Sequence, residues 1–213
     1  MKKLSVKNTL YLLLFPRVLS LFEAIFFSAV YGIEAIDSAQ DSFVLKIINA
    51  TLVIAVYYIL STINTKFKKF FVCNIIYISL DWMLLILNEL SAILYLTYLI
   101  YDILLLIKII LNVPCVYFFY RGFYDLTNDG LKKKIANAWK ILGGLNIVVA
   151  SLSVLKFISL SFHSIRSFVF DIYLLNMLFN LFLPLMLLCI EVLDFVYIVK
   201  TARIFKEKKD NTG

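Results

Sequence analysis

Six apolar segments, separated by short polar stretches, constrain this chain more than any other feature. They fall at about 9–33, 43–63, 70–88, 92–120, 141–162 and 168–199. Crossing the hydrocarbon of a bilayer takes about 20 apolar residues in a helix. The segments therefore read as six transmembrane helices, and the polar stretches between them leave no room for a separate soluble domain. Composition agrees, because the chain is 62% hydrophobic and only 16% charged. A water-soluble domain carries about a quarter charged residues to cover its surface. The expected fold is all-α: a polytopic membrane protein, a six-helix bundle of three helical hairpins forming one integral membrane domain over 1–213.

Basic residues precede the first apolar segment, as in a signal peptide. Pro16, Arg17 and Glu23 interrupt that segment, however, and no compact apolar core with a small-residue cleavage site follows. It reads as a retained first span. Between the third and fourth segments only Asn88-Glu89-Leu90-Ser91 intervenes, the spacing of a tight helical hairpin with Ser91 as N-cap of the returning helix. His163-Ser164-Ile165-Arg166 separates the last two segments in the same way.

Charge orients the bundle. With the N-terminus inside, the cytoplasmic stretches hold 16 Lys and Arg and the outer loops hold only Arg166, while Glu34, Asp37, Asp41 and Glu89 lie outside. Lys and Arg accumulate on the cytoplasmic side of membrane proteins, so both termini are expected in the cytoplasm, most simply across the plasma membrane. The net charge of +7 follows from this bias and implies no nucleic-acid partner. One cytoplasmic stretch has further character. After the turn cluster Thr127-Asn128-Asp129-Gly130, Leu131, Ile135 and Trp139 recur at helical spacing beside Lys132, Lys133, Lys134 and Lys140. An interfacial helix with a basic patch for anionic headgroups or a cytoplasmic partner fits this pattern; an ordinary positive-inside loop fits it too.

Ionisable side chains within the apolar segments each cost about 2.5–3.5 kcal/mol on insertion scales, so each needs a reason. Arg17, Glu23, Asp81, Asp102, Lys108, Lys156, Asp171, Glu191 and Asp194 are of this kind. At about 100° per residue, Asn176, Asn180, Glu191 and Asp194 fall on one stripe of the sixth segment. Asn74, Asp81 and Asn88 share a face of the third, and Tyr95, Tyr98 and Asp102 share a face of the fourth. Prolines at 114 and 184 are expected to interrupt the helical hydrogen-bond ladder locally. Matching depths pair Arg17 with Glu191 and Lys156 with Asp171. Asp81 and Asp102 lie near the midplane, where they are placed to share a proton, with Lys108 as an alternative partner for either.

The chemistry these residues support is limited. There is no HExxH metal motif, no phosphate-cradling glycine loop and no GxSxG elbow. His163 is the only histidine, and it sits at a different depth from Cys73, Cys115 and Cys189, which read as small apolar packers. No metal, cofactor or catalytic residue is expected. Two functional readings remain foremost. In one, the bundle binds a small solute or partner, as a transporter or substrate-binding subunit does, through Asp81, Asp102, Tyr98, Asn176, Asn180, Glu191 and Asp194. In the other, those groups are interhelical glue, and the chain is an accessory, sensor or immunity subunit within the lipid bilayer. An intramembrane enzyme is a third reading, and six spans alone do not assign function.

Overall fold

The computed structural model describes residues 5–16, 18, 43–91, 96–128, 133–161 and 172–210. Among the described residues the fold is all-helical, with six helices. They are α1 (6–16), α2 (Phe43–Ser61), α3 (Thr65–Ser91), α4 (Leu96–Thr127), α5 (Lys133–Ser161) and α6 (Ile172–Asp210). Three of them contain stretches long and apolar enough to cross a membrane: Thr65–Leu87, Ile100–Thr127 and Lys133–Leu155. Ile47–Ser61 of α2 forms a shorter apolar stretch.

The helices outrun the apolar segments that signalled them. Helix α5 begins at Lys133 rather than near 141, and α6 runs to Asp210 rather than stopping near 199. Hydropathy marks what lipid accepts, whereas a helix continues wherever its backbone hydrogen bonds are cheaper to keep than to break. Two local expectations change for this reason. Ser91 is the last residue of α3 rather than the N-cap of α4, so Asn88–Ser91 close a helix instead of forming the turn. Pro114 lies inside α4, which remains one helix from Leu96 to Thr127 despite the missing donor.

The chain divides into two units, Met1–Phe71 with Phe195–Gly213, and Val72–Asp194. In the first, Ser5 caps α1: its Oγ accepts from the Asn8 N–H at 3.3 Å. The α2–α3 turn is closed by Asn64, whose Oδ1 accepts from the Phe67 N–H at 2.9 Å. Across that turn Tyr57 meets Phe70 edge-on at 4.7 Å and Tyr58 meets Phe71 at 5.8 Å. Such pairs contribute about 0.5–1.5 kcal/mol beyond the area they bury.

In the second unit, α5 presents one stripe inward and another outward. Ala136, Trp139, Leu142, Val149 and Ala150 are buried, while Ile141, Leu145, Val148 and Leu155 are exposed. The inward stripe meets α4, where Phe123 stacks on Trp139 at 4.2 Å with an interplanar angle of 18°. Trp139 is fully buried. Trp139, one residue of the apolar pattern expected at the interface, thus packs between helices, while Leu131 lies outside the described residues. Gly143 sits on the same stripe. A Cβ there would lie 2.8 Å from the Cβ of Tyr120, closer than real Cβ contacts come, whereas a Cβ on Gly144 meets nothing within 4 Å. The close approach that the Gly-Gly pair permits is therefore used at one glycine only. Farther along α5, Val149 packs with Leu183 and Ile190 of α6, flanked by Leu152 and Met186.

This asymmetry gives a direct test. Gly143→Ala should destabilise the protein by about 1–3 kcal/mol through overpacking. Gly144→Ala should be neutral or stabilising by up to about 1 kcal/mol, from helix propensity alone. Denaturation in detergent, followed by circular dichroism, distinguishes the two.

Candidate functional site

Two polar clusters lie in the second unit, and they differ in how completely the protein closes them. The first joins three helices. Tyr120 of α4 donates its hydroxyl proton to Oδ2 of Asp194 on α6 at 2.7 Å. The same hydroxyl oxygen accepts from Nδ2 of Asn146 on α5 at 2.8 Å. Asp194 is 1% exposed and Tyr120 4%, so this carboxyl exchanges water for a phenol. A buried polar group without such a partner costs about 1–3 kcal/mol. Because the phenol is donor and acceptor at once, each of its hydrogen bonds polarises the other. The Tyr120 ring rests near Trp139, centroids 5.9 Å apart, and its Cβ is the atom that Gly143 makes room for. The cluster works as a clasp, with steric fit and hydrogen bonding fixed at one residue.

The second cluster lies between α3 and α4. Lys108 of α4 donates to Oδ1 of Asp81 on α3, forming an ion pair within the long apolar stretches of the two helices. Its ammonium also sits 5.0 Å from the ring centroid of Tyr77. Tyr77 and Asp81 are four residues apart, so α3 presents an aromatic face and a carboxylate on adjacent turns to one ammonium. Lys108 is largely covered, with 19% of its side chain exposed, but Asp81 keeps 47% exposed. One carboxylate face is thus left open. Asp81 takes Lys108 as its partner, the alternative to proton sharing with Asp102.

The remaining predicted residues distribute unevenly. Asp102 and Glu191 are exposed, so Glu191 and Asp194 part company although both fall on the polar stripe of α6. Ile190, one residue from Glu191, is the one turned inward. Tyr98, Lys156, Asn176 and Asn180 lie on helices, but their side chains are outside the described residues. Arg17, Asp171 and Lys132 lie outside them altogether. The postulated pairs Arg17–Glu191 and Lys156–Asp171 accordingly fall on undescribed positions. Lys133, Lys134 and Lys140 are exposed along the first turns of α5. No group of three or more His, Cys, Asp or Glu that could hold a metal ion occurs among the described residues.

Sequence reasoning missed Tyr120, Asn146 and Tyr77. Tyr120 and Asp194 are 74 residues apart, and no periodicity links them. Tyr77 did carry a signal, its four-residue spacing from Asp81, but tyrosines in apolar segments are common here and this one did not stand out. Comparison with family models, curated proteins and solved structures returns no significant match.

Two measurements probe these clusters. Tyr120→Phe removes one oxygen and leaves the buried Asp194 without that donor, so unfolding in SDS should show a loss of about 1–3 kcal/mol. For the second cluster, a cycle of Asp81→Asn, Lys108→Gln and the double variant should give a coupling energy of about 0.6–2 kcal/mol. Additive single effects would mean that the pair does not act as one.

Proposed function

We propose that this chain is a multi-pass protein of the plasma membrane, with six spans and both termini cytoplasmic, that binds a small polar solute at the Asp81–Lys108–Tyr77 cluster. The reading is non-enzymatic, of the transporter or substrate-binding-subunit kind. The observation that carries it is the half-open Asp81 carboxylate beside a covered ammonium. A purely structural ion pair in hydrocarbon gains most when both partners are covered, whereas Asp81 keeps 47% of its side chain exposed. A charged pair with one open face instead offers a solute a carboxylate, a cation behind it and an aromatic wall.

The orientation draws support from the helix ends. Lys66, Lys68 and Lys69 occupy the start of α3, and Lys133 and Lys134 the start of α5, with no acidic residue in either first turn. Cations at a helix N-terminus oppose the macrodipole by about 0.3–1 kcal/mol each. Helix stability therefore does not account for their position, which supports the reading that positive charge is retained in the cytoplasm.

A second reading has its own observation. Lys133 and Lys134 at the start of α5 are exposed, as an accessory subunit docking a partner through Lys132–Lys134 would have them. Native mass spectrometry of the protein extracted with its surrounding lipid separates the two readings. Solute binding predicts a stoichiometric small molecule that is lost in Asp81→Asn and kept when Lys132–Lys134 are changed to Gln. A stoichiometric protein partner lost with the Gln changes, and indifferent to Asp81→Asn, would overturn it in favour of the accessory role.

A further inference from the structure

The ion pair between Asp81 and Lys108 fixes the register of α3 against α4, and that register brings two cysteines together. Moving eight residues back from Asp81 along α3 reaches Cys73, and moving seven residues forward from Lys108 along α4 reaches Cys115. Both steps cover about 10–12 Å of helix, at 1.5 Å per residue. Antiparallel helices in register thus set the two cysteines opposite each other, and their side chains do interact. Neither thiol is in a disulfide in the structure. Cys115 is buried, Cys73 is half-buried, and the third cysteine, Cys189, is exposed on α6.

We propose that Cys73 and Cys115 form a redox-active thiol pair, oxidised by a hydroperoxide to a disulfide that staples α3 to α4. Hydroperoxides reach membrane depth, and the half-buried Cys73 is the thiol they meet. Its sulfur attacks one peroxide oxygen and the O–O bond breaks. The departing alcohol, or water when the oxidant is hydrogen peroxide, carries away the thiol proton, and Cys73 becomes a sulfenic acid. The Cys115 sulfur then displaces the hydroxyl: the S–S bond forms, the S–O bond breaks, and the hydroxyl leaves as water with the Cys115 proton. The two sulfurs together lose two electrons, which the peroxide gains. Burial makes Cys115 inert to reagents in solution, so its oxidation runs through its neighbour. This assigns order as well as partners: Cys73 reacts first and Cys115 resolves.

The inference rests on the pairing of α3 with α4 and stands whether or not a solute binds at Asp81. Its test uses the full-length protein in lipid nanodiscs, treated with hydrogen peroxide, then denatured and alkylated for peptide mass spectrometry. The expected product is a Cys73–Cys115 disulfide, with Cys189 the thiol left to alkylate. Cys73→Ser should leave Cys115 reduced, Cys115→Ser should leave a sulfenic acid on Cys73 that dimedone traps, and Cys189→Ser should change nothing. Dibromobimane, which fluoresces on bridging two thiols, checks proximity independently of peroxide reactivity. It should light up the unsubstituted protein and Cys189→Ser, and fail in the other two variants. Cys115 oxidising as readily in Cys73→Ser, Cys73 passing to the sulfinic acid while Cys115 stays reduced, or no bridging by bimane would each overturn the proposal.

Discussion

A phenol hydroxyl and a carboxyl group, both shut away from water, must find each other or pay the full cost of desolvation. That constraint settles at Tyr120, and much of the second unit depends on it. Its hydroxyl ties α4 to α6 through Asp194 and to α5 through Asn146. Its Cβ needs the absence of a side chain at Gly143, and its ring borders the Trp139 that stacks on Phe123. Three helices are thus indexed against one residue. In hydrocarbon there is no hydrophobic drive for helices to associate, so close packing around small residues and interhelical hydrogen bonds carry the specificity. Both act at this position.

The Asp81–Lys108 pair does for α3 and α4 what Tyr120 does for α4, α5 and α6, with a different consequence. The Tyr120–Asp194 pair is buried, with only the Asn146 side of the cluster partly exposed. An ion pair with its carboxylate half open, beside the Tyr77 ring, keeps polar surface between two apolar stretches. The same pair sets the register that confronts Cys73 with Cys115. Position in the bundle thereby divides the polar residues by exposure: Tyr120 and Asp194 are buried, whereas the Asp81 carboxylate on Lys108 is half open.

Much of this architecture was legible beforehand. Apolar runs marked where helices would be, because lipid accepts little else. Lys108 was readable as an alternative partner for Asp81, since both are ionisable side chains within consecutive apolar segments, but a turn at 88–91 would not have set them opposite each other. Cys73 and Cys115 are equally far from residue 94, a relation that only the observed Asp81–Lys108 register makes meaningful, and each by itself reads as a small apolar packer. Trp139 misled for a related reason. A tryptophan beside lysines resembles an interfacial anchor, and only the face of α4 opposite it shows that it packs against Phe123.

The sequence by itself determined that the chain is helical and apolar, which stretches suit a bilayer, and that a few charged side chains lie among them. These are properties of single segments, fixed by hydropathy, helical period and the cost of burying charge. The tertiary structure alone decided that Asp194 is closed in while Glu191, three residues away, is exposed. It also decided that Tyr120 is the donor to Asp194 and that one glycine of a pair is indispensable. Those outcomes depend on which face of one helix meets which face of another, and the 3.6-residue period leaves that choice open until distant side chains are brought within hydrogen-bond reach.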